Sequence, residues 1–186
     1  MSDKFKLQKT RAVYEHCTTQ RKRLMDIFIT DNLIHDELLK NIEFILLKSF
    51  IIAFVEEFNN KAGKLLPDKE EITKYSLPQE RIDFINKLRT YFSARSELLG
   101  SKISIQDMFI LVLGIHNGSE MFSDRDWRNI QGFINARNKI AHSIDFKTSD
   151  VCFAHIDEYD PISSAEKLLS KMNQKFQQLL ILKSPQ

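Results

Sequence analysis

Apolar positions along this chain recur mostly every three or four residues, which is the spacing that places them on one face of an α-helix. Residues 4 to about 31 set Phe5, Leu7, Val13, Leu24, Ile27 and Phe28 among many charges, predicting an amphipathic helix with one modest apolar stripe. Asp36 can cap a second helix running to about Asn60. Its apolar positions (Leu38, Leu39, Ile42, Ile45, Leu46, Ile52, Val55, Phe58) are so dense that nearly the whole circumference should be buried midway, making it the central helix. Gly63 and Pro67 end it, and Lys64 to Pro78 reads as a charged connection, with Leu77-Pro78 biased away from helix. A third helix is expected from about Gln79 to Leu99, stopped by Gly100. Ser104 then caps a short, very apolar helix that ends near Asn117-Gly118.

Ser123 followed by Asp126 resembles a capping box opening a helix that reaches His142. Residues 143 to 160, β-branched, aromatic and acidic by turns, read as an irregular connection. Asp160-Pro161 starts a last helix, with Ser163 and Glu166 as a further capping pair and Leu168, Leu169, Met172, Phe176, Leu179 and Leu180 as its stripe. The expected fold is therefore all-α, a bundle of five or more helices in a single domain spanning residues 1–186.

Composition agrees with that pattern. Five Gly and four Pro in 186 residues leave little material for a turn-rich β fold, and 42% hydrophobic with 28% charged residues is a globular balance. A net charge of +2 does not point to a partner, although residues 1 to 23 carry seven Lys or Arg against two acids. That cluster reads first as a solvated helix face, and alternatively as an RNA-backbone contact. Cys17 and Cys152 suggest neither a disulfide framework nor a zinc site, and the first twenty residues are too polar for a signal core. The longest apolar stretch, Ile42 to Val55, is too short and too interrupted to span a bilayer. A cytoplasmic protein with no membrane association is expected.

The constellation that looks suited to chemistry is Arg137-Asn138-Lys139-Ile140-Ala141-His142. On a helical wheel of residues 127 to 142, Trp127, Ile130, Phe133, Ile134, Ile140 and Ala141 fill one arc roughly 140° wide, with Arg137 in its middle. A guanidinium cannot shed its proton to escape burial, so on such a face it must meet an anion, a polar cleft or a partner chain. Asn138 and His142, four residues apart, fall at one margin of the same stripe. Arg is a two-pronged donor to phosphate oxygens, His carries protons near neutral pH, and Asn can orient either. The set suits phosphodiester cleavage without a metal.

Spacing by itself is weak evidence, since nine Arg and five His should place an Arg five positions before a His by chance in roughly one chain in four. Arg11 and His16 have the same spacing and are taken as coincidence. The adjoining Asn, the surrounding apolar stripe and the position at a helix end distinguish Arg137. The bland alternative is that Arg137 pairs with a buried acid and His142 caps the helix C-terminus. His155, Asp157, Glu158 and Asp160 could be imagined as metal ligands but read better as an exposed acidic loop. His35 and His116 read as structural.

Arg, a polar residue directly after it, and His after four intervening residues resemble the signature of the HEPN superfamily, here as Ala-Arg-Asn-Lys-Ile-Ala-His-Ser from 136 to 143. The resemblance implies a small all-α bundle, and many members are metal-independent endoribonucleases of toxin-antitoxin, abortive-infection and antiviral defence systems. It implies that Arg137 and His142 are catalytic with Asn138 supporting them, acting on cytoplasmic RNA through attack of a ribose 2′-OH, with no cofactor and no metal. A homodimer with a composite active site, and an antitoxin or defence-system partner, are the expected associations. In the toxin branch paired with a nucleotidyltransferase antitoxin a Tyr stands two positions after the His; here that position is Ile144, so regulation by nucleotide transfer is not expected. The alternative function is a catalytically inactive HEPN-like module that binds RNA, a nucleotide or a partner protein.

Overall fold

A computed structural model describes residues 3–30, 36–65, 125–141 and 151–181, with six isolated helical positions between 70 and 86. The described residues contain five α-helices and no strand: α1 (Gln8–Thr30), α2 (Asp36–Gly63), α3 (Arg125–Ala141), α4 (Phe153–Tyr159) and α5 (Pro161–Ile181), preceded by one 3-10 turn at Asp3–Phe5. Among the described residues the expectation of an all-α fold with five or more helices is met. The helices expected around 79–99 and 104–117 fall almost wholly outside the described residues.

The core is built on α2. Phe50, Phe54 and Phe58 recur every four residues and stack along one face, with ring centroids 5.9 and 6.5 Å apart. Phe133 of α3 drives its edge between the first two, at 6.1 Å from Phe50 and 5.7 Å from Phe54. Trp127, Ile130 and Ile134 bury the rest of that α3 face, and Ala165, Leu168, Leu169 and Met172 of α5 close the same cluster. Helix α2 is nevertheless not enclosed all round as the sequence suggests, because Leu38, Ile45 and Ile52 are exposed. Seven residues separate each from the next, so they form one line along the helix away from the phenylalanine face.

Helix α1 starts at Gln8, four residues later than its charge pattern suggests, because Leu7 is fully buried and the chain turns there. Its first amides have no local capping side chain. They are satisfied from two other helices: Glu57 of α2 accepts from the backbone N–H of Lys9 at 3.3 Å and of Thr10 at 2.7 Å, and from the Thr10 hydroxyl at 2.7 Å. Glu166 of α5 accepts the Leu7 N–H at 2.8 Å and holds the Arg11 guanidinium through two bonds of 3.1 and 2.8 Å. Two carboxylates at a helix N-terminus also complement its partial positive charge.

Glu166 is therefore not the capping partner of Ser163 that the sequence suggests. Asp160 caps α5 instead, accepting the Ser163 N–H at 3.1 Å, with Pro161 in the first turn where a missing N–H costs nothing. Glu166 is almost fully buried, so replacing it by alanine strands the Leu7 amide and releases Arg11. Glu166→Ala is expected to destabilise the protein by about 2 kcal/mol, read as a lower urea midpoint.

Residues 153–159, expected to be irregular, form α4. Cys152 caps it reciprocally with His155, whose Nδ1 accepts the Cys152 N–H at 3.2 Å, and Asp160 ends it at φ 41°, in the left-handed region that Asp tolerates better than most residues. Asp160 thus closes one helix and opens the next.

The Tyr14 hydroxyl of α1 donates to the Asp157 carboxylate of α4. Burial first, and then that hydrogen bond, push the Tyr14 phenol up from 10.0 to about 12. The folded chain thus holds the proton more tightly than the unfolded one. The resulting stability is complete below pH 10 and is lost as pH rises from 10 to about 12. Urea melts across that window should show wild type losing stability more steeply than Tyr14→Phe; parallel curves would show that the phenol contributes no linkage.

Candidate functional site

Helix α3 carries the candidate site at its C-terminal end, and the phenylalanine wedge fixes its roll. With Phe133, Ile130 and Trp127 facing inward, Arg137 comes one turn after Phe133 on the same side. Burial declines along that side toward the helix end. Ile130 is fully buried and Ile134 nearly so, Arg137 and Ile140 are half-buried, and Ala141 is exposed. Ala141 thus departs from the buried arc expected of it, whereas Ala136, on the margin toward α5, is buried. The apolar stripe runs out of the core as it reaches the motif.

That geometry accounts for a guanidinium in the middle of an apolar face. Arg137 sits where the face emerges and is half-buried, a position that a long cationic side chain tolerates because its stem can lie along apolar surface. Among the described residues no carboxylate lies within ion-pair distance of it. The bland alternative for Arg137, a pairing with a buried acid, has no support there. Asn138 is exposed on the neighbouring side of the same turn, and Lys139 is half-buried. His142 lies outside the described residues, as do His35, His116 and Ser123. The structure therefore places Arg137 and Asn138 together and leaves His142 to the sequence.

Arg11, the rival in spacing, is committed elsewhere. Its guanidinium is held in two-pronged fashion by buried Glu166, so it serves as a structural clamp between α1 and α5. Asp157, Glu158 and Asp160 are exposed, but on and after a helix rather than in a loop, and His155 turns back to Cys152 with Sγ and Nδ1 3.6 Å apart. Among the described residues no three His, Cys, Asp or Glu side chains are grouped as a metal site, and no helix is long and apolar enough to cross a membrane.

The outer face of α3, away from the apolar stripe, carries a further pattern. Arg125, Arg128, Gly132, Asn135 and Lys139 follow one another at intervals of three and four, and all but half-buried Lys139 are exposed. The legible signal was the 3-4-3-4 spacing of basic and uncharged residues on the side opposite the apolar stripe.

No protein-family model, curated protein or solved structure matches this chain.

Proposed function

We propose that this protein is a metal-independent endoribonuclease of HEPN type, acting on RNA as a toxin or antiviral defence component. The observation that carries the proposal is Arg137: a half-buried arginine, without a carboxylate partner among the described residues, in the run Arg137-Asn138-x-x-x-His142 at the emerging end of an apolar helix face. The helical architecture of the described residues is consistent with it. Arg137 would hold the scissile phosphate and stabilise the charge that builds on its oxygens. His142 would move protons to and from the ribose and leaving oxygens, with Asn138 orienting substrate or imidazole.

In-line cleavage needs a base beside the 2′-OH and an acid on the opposite side of phosphorus, which one imidazole does not readily serve together. A two-fold axis beside the motif would supply the second His142, giving a homodimer with a composite site. Analytical ultracentrifugation at micromolar concentration should find a dimer. A protein that stays monomeric there while cleaving RNA counts against the shared site.

The ribonuclease proposal is tested by incubating purified protein with mixed cellular RNA in excess chelator. Expected are cleavage, 2′,3′-cyclic phosphate and 5′-hydroxyl ends, and intact DNA, which lacks the 2′ nucleophile. Dependence on added metal, or 5′-phosphate products, would overturn it.

A further inference from the structure

We infer that the outer face of α3 is a track for one RNA strand, with Arg125 and Arg128 contacting phosphates and leading the strand toward the turn that carries Arg137. The inference takes the identity of its polyanion from the ribonuclease proposal, but stands on separate residues and can fail separately.

The charge of α3 is one-sided. The helix has four basic residues (Arg125, Arg128, Arg137, Lys139) and a single acid, Asp126, a difference of +3. Asp126 lies on the side toward α5, where Lys171 holds it at 2.7 Å. No carboxylate therefore falls on the outer row formed by residues 125, 128, 132, 135 and 139. Among the described residues neither Arg125 nor Arg128 has an ion-pair partner, and both are exposed. Two unpaired exposed arginines on one helical row favour an anionic occupant.

The shape of the row favours a single strand. At 1.5 Å per residue the row is about 21 Å long, and it is one side chain wide, so it matches several consecutive phosphates of one backbone rather than the two backbones of a duplex. Gly132 lies at its centre, and a Cβ built there meets nothing within 4 Å. Packing inside the protein therefore does not call for glycine, which is costly in a helix interior. Its effect on the outer face is a shallow gap between Arg128 and Asn135 where a backbone can come close. Asn135 adds an uncharged donor and acceptor on the same row. The row runs toward the helical turn that holds Arg137 and Asn138, so a strand on the track is led toward the candidate site.

The test measures binding without cleavage. A fluorescein-labelled, fully 2′-O-methylated RNA strand of about 12 nucleotides has no free 2′ nucleophile, and its affinity is followed by anisotropy across a salt series. Arg125→Gln/Arg128→Gln is expected to weaken binding about tenfold at low salt and to flatten the slope of log K against log salt by about 1.4, two single-strand phosphate contacts at about 0.7 each. Gly132→Glu should weaken binding similarly, while Gly132→Gln, equal in size and uncharged, should stay much closer to wild type; the open space at this position lets both fold. Circular dichroism confirms that all variants are helical.

Unchanged affinity and slope in the double variant overturn the track, as does equal loss from Gly132→Gln and Gly132→Glu. Polyglutamate that displaces the strand at equal charge concentration also overturns it, in favour of an acidic protein partner. Cleavage of unmodified RNA by the same wild-type preparation separates the two proposals. Cleavage without the slope effect removes the track alone, and the slope effect without cleavage removes only the ribonuclease.

Discussion

Phe133→Ala is expected to lower the stability of the protein by about 3–5 kcal/mol, the range for emptying a phenylalanine site in a packed core. The ring is almost wholly buried, with its edge directed at Phe50 and Phe54, whose own stacking leaves little freedom to close the gap. Edge-to-face geometry adds to the area term, so the loss should exceed that of an aliphatic site of equal burial. Phe133→Leu, which keeps much of the volume, should cost roughly 1–2 kcal/mol. Urea denaturation checks both values. Because Phe133 sets the roll of α3 one turn before Arg137, the leucine variant should also show weaker RNA cleavage under conditions where it is fully folded. Undiminished cleavage by a folded, destabilised Phe133→Leu protein would mean that the motif does not depend on this wedge.

How much of this could be read from the sequence follows from how local each cause is. Helices α1, α2, α3 and α5 were legible because their apolar spacing is a property of neighbouring residues, and the Asp160-Pro161 start of α5 carries its own cap. The start of α1 was not legible. Its amides are capped by Glu57 and Glu166, and nothing near Leu7 announces partners on two distant helices. Glu166 shows the same limit from the other side. Three residues after Ser163 it fits a local capping pattern, but Arg11 and Leu7 claim it in three dimensions. Helix α4 was missed because seven residues are too few for periodicity to register, and its cap is the Cys152 to His155 pair rather than a usual capping residue. The open row of Leu38, Ile45 and Ile52 on α2 was hidden by composition: a helix dense in apolar residues looks enclosed whichever side its partners occupy. At the candidate site, the arginine on the apolar stripe was visible at once. That the stripe leaves the core at that point is a property of packing, and it is what makes a charged group tolerable there.

Arg137 and His142 should prove separable from stability and decisive for activity. His142→Ala is expected to reduce RNA cleavage by about 100 to 1,000-fold or more, the usual loss when one preorganised catalytic contact is removed. Arg137→Lys should lose activity to a similar degree. An ammonium keeps the positive charge but loses the planar two-pronged donor that matches two phosphate oxygens. Stability should barely change in Arg137→Lys, because Arg137 is only half-buried, has no carboxylate partner among the described residues, and lysine can lay its stem along the same apolar surface. A structural role predicts the opposite pattern: if Arg137 mattered as a buried anchor, the lysine variant would melt earlier and cleave in proportion to the folded fraction. Cleavage rates in chelator, circular dichroism and thermal melts on the three proteins separate these outcomes. Asn138→Ala, at an exposed position, should fall between them, losing part of the rate with no change in melting. Wild-type rates in both Arg137→Lys and His142→Ala would remove the chemistry from this helix end and leave the motif as a coincidence of spacing, as it is at Arg11 and His16.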